Sequence, residues 1–223
     1  GTVLTQYAKP LYEAGLSRLN ISLDTLQAER FQQLTRRDRL QAVLDGISAA
    51  KTYPFDSIKL NAVVMRGMND DEIIALMDYA VESEIDITFI EEMPLGEVGY
   101  DRSVTFLSSA EVKSVIEEKY ILDPSSYKTG GPAIYESVAG TKTKVGFISP
   151  HSNNFCAACN RVRITAVGRL LLCLGNEDSQ DLRTLMRGGC SDEITALKLK
   201  PEKHEFDLAE EVKILRFMSH TGG

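Results

Sequence analysis

Residues 153 to 175 read NNFCAACNRVRITAVGRLLLCLG and contain three of the chain's four cysteines, spaced C-x2-C-x13-C, with Arg161 and Arg163 between them. The two-residue gap between Cys156 and Cys159 is a common chelate spacing for a metal or an iron–sulfur cluster. The stretch RVRITAVGRLLLCL reads as a β-hairpin that turns around residues 166–168. Folding it there sets Arg163 opposite Leu171 and Arg161 opposite Cys173, which returns the third thiol to the side of the first two. Three thiolates can hold three irons of a four-iron cube and leave the fourth iron open to a substrate nitrogen or oxygen. Zinc could instead take three thiolates plus His151 or Cys190. The plainer readings are a core cysteine at Cys173, inside LLLCL, and an inert small thiol at Cys190 beside two glycines. Arg161 and Arg163 share strand parity, so they are either a pair of guanidinium forks for phosphate or a solvated strand face.

Charge supports an anion. The chain carries a net charge of -7, yet between Pro124 and Asn176 the one acid is Glu136, against Lys128, Lys142, Lys144, Arg161, Arg163 and Arg169. A positive island in an acidic protein suggests a local anionic ligand, whereas a nucleic-acid surface has a broader basic excess. Lys59 is a second cation of interest. It lies inside the apolar strand IKLNAVV, shares parity with Asn61, and needs an acidic ligand, a neighbouring Glu or water to balance it. Polar residues also gather at the ends of the expected strands: Ser22 and Asp24, Asn61, then Glu91 and Glu92 with Met93. In parallel α/β folds, ligands bind at that end. No HExxH, G-x-S-x-G or P-loop pattern offers competing chemistry, and His151, His204 and His220 are scattered.

The elements that must position these groups alternate. LTQYAKPLYEAG reads as a helix ending at Gly15, RLNISLD as a strand, TLQAERFQQL and RLQAVLDGISAAKTY as helices, SIKLNAVVM as a strand, RGMND as a turn, DDEIIALMDYAVES as a helix and DITFIEEMP as a third strand. This β-α-β-α-β rhythm predicts an α/β fold with a parallel sheet and covering helices. LSSAEVKSVIEEKY is a further helix, with Ser108 or Ser109 as cap and Glu111 near the third helical position. TGGPAIYESV and KVGFISP read as short strands or loops, and SQDLRTLMRGG and LAEEVKILRFM as helices. The boundary is set at residue 100, with residues 1–100 as the sheet region and 101–223 as an extension over one of its ends. At 223 residues with 43% hydrophobic content the chain buries a core without disulfides. The sequence has no apolar run of membrane-spanning length and no signal-peptide pattern, which sets a cytoplasmic expectation.

At these residues the sequence resembles a known family. AGLSRLNISLDTL, IKLNAVVMRGMND, FIEEMPLG, FCAACNRVRITAVGRLLLCL and the terminal GG are similar to the radical S-adenosylmethionine (SAM) GTP 3',8-cyclases of molybdenum cofactor biosynthesis, over essentially the whole chain. The resemblance implies a partial TIM-type barrel with a C-terminal extension bearing a second cluster site. It implies Cys156, Cys159 and Cys173 as ligands of a 4Fe-4S cluster, and Lys59, Arg161 and Arg163 as GTP contacts. Ser22, Asn61 and Met93 become SAM contacts, and Gly222 and Gly223 a side-chain-free tail that supports catalysis in a crowded cavity. The implied reaction converts GTP into a 3',8-cyclised nucleotide, which a separate cyclic pyranopterin monophosphate synthase consumes; a homodimer is expected from the exposed edge strand RLNISLD.

The sequence also departs from the family. The C-x3-C-x2-C motif that holds the SAM-cleaving 4Fe-4S cluster is not in this sequence, and Thr88 stands where the family has an arginine directed at GTP. The expectation is that the full-length enzyme has on the order of 100 further residues upstream, three βα units. The isolated chain is expected to be inactive, and its exposed edge strand RLNISLD to favour association. A zinc-stabilised binding module and a degenerate structural or regulatory family member remain alternatives.

Overall fold

Alternation in the first strand sets the plan: Leu19 and Ile21 are buried, while Arg18, Asn20 and Ser22 are exposed. The structure, a computed structural model, describes residues 1–93, 99–155, 159, 161–173 and 179–188. The helices and strands in order are α1 (Leu4–Glu13), β1 (Arg18–Ser22), α2 (Ala28–Thr35), α3 (Leu40–Lys51), β2 (Ser57–Val64), α4 (Ile73–Glu82, after a short 3-10 turn at Asp70–Glu72), β3 (Asp86–Glu91), α5 (Arg102–Thr105), α6 (Ser109–Glu117), β4 (Leu122–Pro124), β5 (Ile134–Val138), β6 (Lys144–Ile148), β7 (Arg163–Ile164), β8 (Arg169–Leu171), β9 (Ser179–Asp181) and α7 (Leu182–Arg187). The chain divides into two compact units, one of residues 1–92 with 103–149, the other of residues 93–102 with 150–223.

The first unit is built on a six-stranded sheet of order β1-β2-β3-β6-β5-β4. Strands β1, β2, β3 and β6 run parallel, and β5 and β4 complete the sheet antiparallel. One face is apolar: Leu19 and Ile21, Leu60, Ala62 and Val64, Ile87 and Phe89, and Val145 and Phe147 form a single core with side chains from α1, α2, α3, α4 and α6. Each fully buried member, such as Leu60 or Ile87, contributes on the order of 1.5–3 kcal/mol.

The sequence rhythm predicts three parallel strands, with TGGPAIYESV and KVGFISP as short strands or loops. The structure gives a fourth parallel strand, because β6 pairs with β3 from Ile87↔Val145 to Ile90↔Ile148, and it adds β5 through Tyr135↔Gly146. Residues 103–149, placed beyond a boundary at 100, therefore cluster with residues 1–92 through this sheet. The pairing spans more than fifty residues of sequence, and local periodicity does not encode a contact that distant.

Helix ends follow the signals in the sequence. Ser108 caps α6 and forms a full capping box with Glu111. Gly15, at φ +87, takes the left-handed turn after α1. SQD is a correction: residues 179–181 form β9, and α7 starts only after Asp181, whose carboxylate accepts the Thr184 N–H at 2.9 Å.

The second unit contains a three-stranded antiparallel sheet of order β7-β8-β9. Arg163 pairs with Leu171 and Ile164 with Leu170, the register expected for a turn at 166–168, where Gly168 has φ +79. LAEEVKILRFM lies outside the described residues. Among the described residues no helix is long and apolar enough to cross a membrane.

Candidate active site

The face of the large sheet opposite the core carries two polar rows, followed towards the strand ends by an apolar row of Val63, Ile90 and Ile148. Strand register aligns Ser22 with Asn61, Asn61 with Thr88, Thr88 with Gly146, and Gly146 with Tyr135, which makes one row across five strands. One step towards the strand beginnings lie Asn20, Lys59 and Asp86 in register across β1, β2 and β3, with Lys144 and Ser137 paired across β6 and β5. The expected SAM contacts Ser22 and Asn61 are therefore neighbours, and Lys59 is two residues from Asn61 on the same face. Met93 follows β3 and is half-buried, in the second unit.

Lys59 meets neither a Glu nor an aspartate partner among the described residues. Its Nζ donates to Tyr135 Oη at 2.7 Å and lies 5.4 Å from the centre of that ring. The two residues sit on β2 and β5, three strand steps apart. At ~4.8 Å per step this is about 14 Å along a flat sheet, where side chains standing perpendicular would not meet. The Tyr135 ring leans over Gly146 towards Lys59, and the Lys59–Tyr135 bridge crosses the strands carrying Thr88 and Gly146.

Gly146 makes the bridge possible. A Cβ there would lie 2.7 Å from Tyr135 Cε1 and 3.0 Å from Thr88 Oγ1, so the ring lies against bare backbone. Tyr127 packs edge-on against Tyr135 at 5.1 Å, and Lys144 Nζ sits 4.8 Å over the Tyr127 ring. In this row Asn61 Oδ1 and Thr88 Oγ1 are buried without a hydrogen-bond partner. Two adjacent orphan oxygens at the centre of a polar face fit a site that receives a donor group from a ligand or water.

The loops after β1 and β2 are fixed to each other. Asn69 Oδ1 accepts the Met65 N–H at 2.8 Å, and its amide donates to Asp24 O and Val63 O, each at 2.8 Å. Asp24 Oδ1 accepts the Val63 N–H at 2.8 Å, and burial raises its carboxyl above the usual range despite that bond. Glu72 is buried and receives Thr25 Oγ1 at 2.5 Å, Leu26 N at 2.7 Å and the Arg30 guanidinium. A mouth formed by polar loops needs such ties, because loop backbone groups at a ligand site are otherwise unsatisfied. The strand-end acids Glu91 and Glu92 serve the scaffold: Glu91 accepts the Ser109 N–H at the start of α6, and Glu92 accepts Thr105 Oγ1, both at 2.8 Å. Beside Ser22, Asp24 and Thr25, a cavity of about 170 Å³ also takes in Arg37 and Arg39.

In the second unit, Cys159 and Cys173 are both half-buried, one before β7 and one after β8. The ladder ends at the Arg163↔Leu171 pair, and Arg161 and Cys173 each lie one two-residue step past that end. Arg161 is exposed and Arg163 half-buried. Arg169 is used within the sheet, where its Nη2 donates to Ser179 Oγ at 2.7 Å and joins β8 to β9. Cysteine sulfur is a soft donor of the kind that iron–sulfur clusters take. Cys156, Cys190, Gly222 and Gly223 lie outside the described residues, and among the described residues no group of three metal-ligating side chains forms.

The sequence reading missed Tyr135 and the part played by Gly146. The alternation in AIYESV gave a signal for Tyr135, but not for which sheet it joins. Thr88 was flagged as a departure and is placed in the middle of the polar row, fully buried.

Comparison with known proteins places these units in context. Residues 1–80 match the Radical SAM superfamily and residues 85–206 match the Molybdenum Cofactor Synthesis C family. The chain is 54% identical to a GTP 3',8-cyclase of Ectopseudomonas mendocina (strain ymp), across all of this chain and 70% of that protein. It is 54% and 52% identical to GTP 3',8-cyclase 1 and GTP 3',8-cyclase 2 of Pseudomonas aeruginosa, with the same coverage.

Proposed function

The chain belongs to the GTP 3',8-cyclases, a radical SAM enzyme family of molybdenum cofactor biosynthesis, and we propose that its two units supply the nucleotide seat and the SAM-facing wall of such an enzyme. The observation that carries this reading is the polar row on the sheet face opposite the core, with Ser22 beside Asn61 and Lys59 one step below. The parallel pairing of β1, β2, β3 and β6 supports a partial barrel with these strands as part of its wall.

In this reading Ser22, Asn61 and Met93 hold SAM, and Lys59, Arg161 and Arg163 bind the triphosphate of GTP. Cys156, Cys159 and Cys173 hold a 4Fe-4S cluster that, when bound, supplies an iron site open to a substrate heteroatom, and SAM with a further cluster supplies the radical. The chain's own residues orient the reactants. Lys59 brings a compact positive charge to the polar sheet face, and the two arginines offer planar forks to phosphate oxygens. Asn61 and Thr88 present acceptor oxygens where a hydroxyl or amine of a reactant would dock. Gly222 and Gly223 form a tail without side chains that enters the crowded site. A cytoplasmic homodimer that hands its cyclised product to a downstream synthase completes the reading. Without a C-x3-C-x2-C motif the isolated chain does not cleave SAM.

Equilibrium dialysis with GTP tests the seat. Binding that Lys59→Met, Arg161→Met and Arg163→Met each weaken by about tenfold supports it. GTP binding indifferent to all three substitutions contradicts it.

A further inference from the structure

We infer that Tyr135 is a positioning residue for Lys59, holding its ammonium over the polar face where an anionic group of the substrate docks. The inference deepens the nucleotide reading above and rests on it. Lysine is a flexible four-carbon arm, and an unanchored one loses rotamer freedom when an anion captures it. Here the arm is already anchored, since Tyr135 Oη accepts from Nζ at 2.7 Å. A phenol is a suitable anchor. It carries no charge of its own to cancel the ammonium's, so the ammonium's charge stays available to an anion.

The anchor is itself held rigidly. Tyr135 is 2% exposed, its ring lies over the bare backbone of Gly146, and Tyr127 braces its edge. The nearest approach to Gly146 is made by ring carbons, while the hydroxyl takes the hydrogen bond from Lys59. What the hydroxyl adds is the direction in which Lys59 points.

The test uses GTP and inorganic tripolyphosphate as probes, titrated into the wild-type chain, Tyr135→Phe, Lys59→Met and the double variant, with a urea midpoint recorded for each protein. Tyr135→Phe keeps the ring and so keeps the fold. The expected result is about three- to tenfold weaker binding of both probes by Tyr135→Phe. A larger loss is expected for Lys59→Met, and the double variant should be no weaker than Lys59→Met alone. A purely structural role would weaken binding equally in the presence and absence of Lys59. That outcome overturns the inference, as does wild-type affinity in Tyr135→Phe, and in either case the nucleotide reading stands. A wild-type chain that binds neither probe overturns the nucleotide reading, and the inference with it.

Discussion

Replacing Gly146 with alanine should destabilise the first unit through one identifiable clash. The new Cβ would sit 2.7 Å from Tyr135 Cε1 and 3.0 Å from both Tyr135 Cδ1 and Thr88 Oγ1. Strand β6 is paired on both sides, to β3 and β5, so its backbone cannot retreat and the ring must move. Overpacking of this kind costs about 1–3 kcal/mol. Displacing the ring also breaks the Lys59–Tyr135 hydrogen bond, worth about 1 kcal/mol. The lower chain entropy of alanine returns roughly 0.4–1 kcal/mol. The net expectation is a loss of about 1–3.5 kcal/mol, read as a lower urea midpoint with unchanged slope. Tyr135→Leu removes the ring atom that clashes, so Gly146→Ala should cost about 1–2 kcal/mol less in that background than in the wild type. Tyr135→Phe keeps the clash and should not relieve it. Additivity of Gly146→Ala and Tyr135→Leu within about 0.5 kcal/mol, or a Gly146→Ala protein at least as stable as the wild type, would refute the packing argument.

Three further outcomes follow from single residues. Glu111 is held at about 2, below its ordinary 4.5, by the Ser108 hydroxyl and N–H and then by Arg66. A depressed carboxyl contributes stability that is complete above pH 4.5 and lost as pH falls towards about 2. Glu111→Gln should therefore cost on the order of 0.5–1 kcal/mol at neutral pH in urea unfolding, with the difference shrinking across that acid window. Burial raises the Asp24 carboxyl, so its ionised form opposes folding as pH rises through the carboxylate range. Asp24→Asn, which keeps an acceptor for the Val63 N–H, should raise Tm at neutral pH, and the gain should vanish below the ordinary value of 3.8. Glu84 sits at φ +52 just past α4, where Ile85 N bonds to Ala80 O and Glu84 N to Val81 O. Glu84→Gly relieves about 1 kcal/mol of left-handed strain and gives up an exposed ion pair with Lys142 worth about 0.5 kcal/mol, so chemical denaturation should show a small net stabilisation.

The hairpin register Arg163↔Leu171 was legible because a glycine turn and strict alternation fix it locally. The α6 capping box was legible for the same reason, since Ser108 and Glu111 are three residues apart. The polar strand ends were visible too, but Glu91 and Glu92 turned out to anchor neighbouring segments, because type and position alone do not reveal which N–H or hydroxyl faces a carboxylate. The placement of β6 beside β3 and the meeting of Lys59 with Tyr135 were not legible, since both depend on pairing between strands far apart in sequence. SQD was misread because the helical pattern that starts at Leu182 was extended back over residues that pair with β8.

The central claim is that the hairpin thiols hold an iron–sulfur cluster beside a guanosine nucleotide. Anaerobic reconstitution with iron and sulfide, followed by metal and sulfide analysis and, after reduction with dithionite, electron paramagnetic resonance with and without GTP, tests it most directly. The account predicts iron and sulfide in equal amounts, lost on Cys156→Ser, Cys159→Ser or Cys173→Ser, and a resonance that shifts when GTP is added. Zinc without sulfide, or a cluster signal that GTP leaves unmoved, would contradict it.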